Sequence, residues 1–157
     1  MTVSAKIQVL STPVPVTLQT LAVFGIAAAY GRNLAVATIL FYLAQGLVGM
    51  PVFAGAAAGP AYLFGPTAGY LAGFVVAAAI VGEAADRGMS RNAFVMFTVM
   101  LFADAIVFLM GFAWLATIIG PSKALAAGVV PFIAPDLVKI ALASGILAAI
   151  WHWVAKR

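Results

Sequence analysis

The sequence predicts an all-α integral membrane protein, and three observations carry that prediction. Of the 157 residues, 66% are hydrophobic and only 8% charged, against about 25% charged in a soluble domain. The mean hydropathy is +1.18. The apolar residues gather into five long runs with short polar or Gly/Pro-bearing connections, as expected of helices that satisfy their own backbone in lipid.

Taken in order, the candidate spans are 17–30, 34–50, 66–84, 93–119 and 135–155, within one membrane domain covering 1–157. The first follows the extended run Pro13-Val14-Pro15-Val16. As a helix it covers roughly 21 Å, short of the ~30 Å hydrocarbon core, so this PVPV turn is expected below the membrane surface, sheltered by protein. The second span ends at Pro51. The third places Pro66 at its first helical position and carries Gly65, Gly69 and Gly73 at four-residue spacing, a signal for close helix approach. The fourth contains Asp104, expected to be neutral or hydrogen-bonded within the bundle. The fifth opens at Pro135, with Asp136 and Lys139 in its first turn.

Orientation follows from the cations in the connections. Alternating the spans puts Arg32, Arg87, Arg91, Lys156 and Arg157 on one side, and Lys6 and Lys123 on the other. The first side is assigned to the cytoplasm, together with the C-terminus. The eight cationic side chains form no basic stripe with interleaved aromatics, which argues against nucleic acid as a partner.

The stretch Gly46–Phe74 is apolar but broken by Gly49, Pro51, Gly55, Gly59, Pro60, Gly65 and Pro66. Irregular backbone at membrane depth is tolerated where protein buries it or it lines a cavity; otherwise this is an ordinary outer loop. Asp136 and Lys139, at i and i+3, share a helix face. They form either a closed structural pair or a site in which Lys139 and the helix dipole hold a ligand carboxylate while Asp136 accepts a ligand N–H. Thr17 suits an N-cap. Gln19 needs partners for both ends of its amide. Tyr70 is either a cavity residue or an interfacial belt residue. Glu83 and Arg87 read as a helix pair, and His152 between Trp151 and Trp153 as an interfacial anchor.

Cysteine is absent, which excludes disulfides, thiol catalysis and cysteine–zinc sites. The sequence holds no HExxH, GxSxG or Walker A motif and no cluster of metal ligands. No enzyme activity, cofactor or metal is expected, and energy-coupled transport would require a separate ATPase. A structural membrane protein without ligand-binding activity is the alternative. An embedded enzyme using Asp104 or Asp136 lacks a catalytic partner.

PVPVTLQT at Pro13–Thr20, GLVGMPVFAG at Gly46–Gly55, GPTAGYLAGF at Gly65–Phe74 and PDLVK at Pro135–Lys139 together resemble the BioY family. Its members are the biotin-specific substrate-binding (S) components of energy-coupling-factor (ECF) transporters. The resemblance spans essentially the whole chain, and WLA at Trp114–Ala116 also fits. It implies a six-helix bundle that captures biotin near the outer face of the cytoplasmic membrane and works with a coupling transmembrane subunit and ATPase subunits. The family's Asp-x-x-Lys pair falls on Asp136 and Lys139. Biotin's carboxylate, ureido ring and bicycle then find Lys139, Asp136 or Gln19, and Phe53 and Tyr70 as expected contacts, with Thr17 beside them. Family members carry a full apolar helix ahead of PVPVT. Here Met1–Thr12 would reach about 18 Å as a helix, so a truncated first helix and five full spans are expected.

Overall fold

The computed structural model describes residues 1–6 and 17–154. The PVPV turn, most of the expected helix remnant, and Lys156 and Arg157 lie outside the described residues. Among those described, the elements are helices joined by turns, without a β-strand: α1 (Thr2–Lys6), α2 (Gln19–Leu47), α3 (Pro60–Leu63), α4 (Ala68–Asp86), α5 (Ala93–Ile119), α6 (Pro121–Gly128) and α7 (Val130–Val154), with 3₁₀ turns at Ala54–Ala56 and Met89–Arg91.

α2 breaks at Gly31, whose φ of 72° and ψ of 177° lie in a region essentially reserved for glycine. The Gln19 side-chain amide donates to the Tyr42 hydroxyl at 2.9 Å. A straight helix would hold those residues about 35 Å apart. The chain therefore doubles back at Gly31 into two antiparallel arms, 19–30 and 32–47. A Cβ on Gly31 would run into the Asp86 carboxylate, which accepts the Arg32 N–H at 2.9 Å and so caps the second arm from α4.

Several boundaries differ from the sequence reading. The second arm stops at Leu47, where the Val48 and Gly49 N–H groups turn back onto the Ala44 and Gly46 carbonyls. Pro66 lies in the turn before α4, while Pro60 opens α3. α6 is an additional short helix. α7 begins at Val130, so Pro135 is interior and removes the bond to the Pro131 carbonyl. Pro131 itself falls in the first turn, where a missing N–H costs little. Asp136 and Lys139 consequently sit beyond the first turn, and the dipole argument made for them does not apply.

α4 packs between α2 and α5. Its glycines set the approach: a Cβ on Gly82 would lie 2.6 Å from the Arg32 Cα, and one on Gly73 would lie 2.9 Å from the Val107 Cα. Gly69 meets the Met110 carbonyl and the Trp114 Cβ in the same way. Gly65 does not share this face; it lies in the turn, where its carbonyl accepts the Trp114 indole N–H at 2.9 Å. The outer face keeps large apolar side chains such as Phe94, Phe102, Leu109 and Val138 exposed. Among the described residues, four helical stretches are long and apolar enough to cross a membrane, with the hairpin of α2 taken as one stretch, and that surface faces lipid.

Candidate binding site

At the end opposite the Gly31 reversal, α2, the 60–67 segment, α4, α5 and α7 line a cavity of about 50 Å³ that is partly open to the outside. One wall is polar: Thr17, Gln19, Thr20, Asp136 and Lys139. The other is apolar and aromatic, with Tyr62, Tyr70, Leu71, Phe74, Phe108 and Phe132 among its residues.

The polar wall is a connected network. The Lys139 ammonium donates to the Thr17 carbonyl at 2.7 Å, to the Thr20 hydroxyl at 3.2 Å, and to the Asp136 carboxylate. An ammonium has three N–H donors, and all three are engaged. Asp136 also accepts from the Thr20 hydroxyl at 3.3 Å, on the oxygen that meets Lys139. Both members of the pair are buried, where an ion pair persists only if hydrogen bonds complete it. The start of α2 provides those bonds.

Thr17 and Gln19 hold each other. The Thr17 hydroxyl donates to the Gln19 side-chain carbonyl at 3.0 Å and accepts the Gln19 backbone N–H at 3.2 Å. The N-cap position itself is Leu18, so Thr17 satisfies a helix-start donor from one residue further out. The Gln19 amide reaches Tyr42, whose hydroxyl donates to the Val52 carbonyl at 3.1 Å. That relay ties the floor of the cavity to the irregular segment above it.

Tyr70 is buried rather than interfacial. Its hydroxyl donates to the Gly128 carbonyl at 2.8 Å, and its ring fits against Gly111, where a Cβ would enter the ring. Phe53 does not line the cavity. Its ring fills the space left by the absent Cβ of Gly46, stands edge-on to Tyr42 at 5.6 Å, and stacks behind Tyr62 at 5.0 Å. Tyr62 is thus the aromatic presented to the cavity, with Phe53 as its backing. Burial holds the Tyr62 phenol above its ordinary pKa, so it stays a neutral donor.

The structure brings Thr17, Gln19, Tyr70, Asp136 and Lys139, each expected from sequence, to one cavity, and adds Thr20, Tyr62, Thr67, Phe74, Phe108 and Phe132, which were not expected there. Thr20 had a signal, since it lies one residue from Gln19. Tyr62 had one too, as an aromatic two residues after a proline in the irregular stretch.

Residues 1–156 match the profile of the BioY family. A probable biotin transporter BioY from Pyrococcus horikoshii is 40% identical, over 90% of this chain and 83% of its own length. The biotin transporter BioY of Thermotoga maritima is 33% identical over 90% of this chain and 83% of its own. A crystal structure of the S-component for biotin from an ECF-type ABC transporter shares the fold with a TM-score of 0.81. That match covers 94% of this chain and 80% of the other, at 24% identity.

Proposed function

This chain belongs to the BioY family, and we propose that it captures biotin as the substrate-binding component of an ECF-type transporter, through the cavity described above. The observation that carries the site is the meeting, in one enclosed space, of a buried cation with a polar network and an opposing aromatic wall. Biotin combines an anionic carboxylate, a ureido ring with donors and an acceptor, and an apolar bicycle. Lys139 takes the carboxylate by exchanging its longest bond, that to Thr20, for a charged acceptor. Asp136 and Gln19 serve the ureido group, and Tyr62 and Tyr70 flank the bicycle.

We assign the protein to the cytoplasmic membrane with its C-terminus inside. Arg32 and Arg87 share Glu83, and Arg91 rests 5.4 Å from the Trp151 ring centroid, so the arginines gather at one end. The cavity then opens outward. With no nucleotide-binding loop in the chain, energy comes from ATPase subunits through a coupling transmembrane subunit, and the protein itself is not an enzyme.

One observation favours a second reading, a closed structural pair: all three Lys139 donors are already used. Equilibrium biotin binding to the detergent-purified protein separates the two. Saturable binding that falls at least about 100-fold in Lys139→Ala supports capture at this pair, by analogy with losses at buried charge partners. Unchanged affinity in that variant would remove Lys139 from the site.

A further inference from the structure

Asp104 takes no part in the network above, yet it lies at the same level. α5 and α7 run antiparallel here, with the Phe108 and Phe132 rings 6.2 Å apart. One turn from each, in the same direction through the bundle, come Asp104 on α5 and Asp136 on α7. Asp104 is 4% exposed, and one of its carboxyl oxygens has no hydrogen-bond partner. Phe108 is the shared wall between the binding cavity and a groove of about 200 Å³ that Asp104 lines with Leu101, Ile133 and Leu137.

Among the described residues, the other elements bring no charge to this level. α4 meets α5 through Gly73 and Val107, which sets Val76 and Ala77 opposite Asp104. From α2 the residue bonded at this level is Thr20, on Asp136 and Lys139, and it is not ionisable. Arg91 precedes α5 and Lys123 follows it, each roughly 20 Å along the axis from Asp104. Two carboxyl groups therefore lie at one level of the bundle, and the one ammonium there is fully engaged by Asp136, Thr17 and Thr20. If Asp104 ionises, it adds an uncompensated negative charge at low dielectric, directed against any carboxylate the ligand brings. In its neutral form it adds none.

We propose that Asp104 is a specificity residue of the cavity: neutral, it lets the Asp136–Lys139 pair receive an anionic ligand, and ionised, it turns anions away while neutral ligands are unaffected. The proposal rests on the reading that biotin's carboxylate meets Lys139. The test compares biotin with biotinamide, in which a neutral amide replaces the carboxylate. Binding of both is measured from about pH 6 to about pH 9 for the parent, Asp104→Asn and Asp104→Leu. The parent is expected to lose at least about tenfold in biotin affinity as pH rises, with no matching loss for the amide. Both variants should hold biotin affinity level. The leucine variant, which presents no polar atom, carries the comparison if the asparagine variant does not fold. A variant that loses biotin affinity as steeply as the parent assigns the effect to another group and overturns the proposal, as does a parent without pH dependence. A parent that binds no biotin at any pH overturns the underlying reading as well.

Discussion

At the end where the chain reverses at Gly31, the close contacts are made by backbone: Gly82 against the Arg32 Cα, and the Arg32 N–H on the Asp86 carboxylate. At the cavity end they are made by side chains, in a network running from Lys139 and Asp136 through Thr20, Thr17, Gln19 and Tyr42 to the Val52 carbonyl. The first end has no room for a side chain at its turning point. The second leaves a cavity of about 50 Å³ and keeps its polar atoms satisfied around that space. One end is therefore expected to answer mutation in stability alone, and the other in binding as well.

The largest expected effect at the reversal is that of Gly31→Ala. The substitution forces an L-residue into the φ and ψ of Gly31 and drives its Cβ into Asp86. The expected loss is about 3 kcal/mol or more, read as a lowered unfolding midpoint, while biotin affinity of the folded fraction is retained. Retained stability would mean that the hairpin does not depend on this backbone geometry.

At the cavity, Lys139→Ala leaves the Asp136 charge buried without its partner and costs about 3–5 kcal/mol. The double variant Asp136→Asn/Lys139→Met removes both charges, so its stability should return to near that of the parent. Biotin binding should stay lost. A double variant that binds like the parent would make the pair a structural feature and erase the contrast between the two ends. Tyr70→Phe is a smaller probe. It removes the bond to the Gly128 carbonyl, at about 1 kcal/mol of stability. Because that hydroxyl is committed to α6, biotin affinity is expected to change little; a large loss would make it a ligand contact.

The backbone-determined end was the more legible in sequence. Arg32 interrupts an apolar run beside Gly31, and that pair of residues marked the turn between two spans. Gly69 and Gly73 marked a close helix approach by spacing alone, and the fold makes that partner α5. The cavity end was read in part. Thr17, Gln19, Asp136 and Lys139 were visible because a polar residue in an apolar segment needs a partner. Phe53 was expected at the ligand as an apolar wall for the bicycle. In the fold, the missing Cβ of Gly46 lets its ring sink against α2, and Tyr62 takes the exposed position. No periodicity governs an irregular segment, so sequence spacing had no means of ordering those two rings. Pro135 read as a helix start for a similar reason. The true start, with Pro131 in the first turn, is separated from α6 only by Val129, and both flanks are apolar.

The smallest effect sharpens the comparison from the other side. Glu83 receives Arg32 at 3.3 Å and Arg87 at 2.8 Å, and by contact number it is the most heavily paired acid at the reversal. Both arginines extend into solvent, with side chains 57% and 65% exposed. Exposed ion pairs gain little, since water and salt screen them and two long side chains must be ordered. Asp86 makes a single bond there, but to a backbone N–H at a helix start, a donor that otherwise has no partner within the helix. Glu83→Gln is therefore expected to leave the unfolding midpoint unchanged within error at moderate salt, while Asp86→Ala lowers it. The reverse order would place the stability of that end in its surface charges, and the account of it as a backbone-built turn would fail.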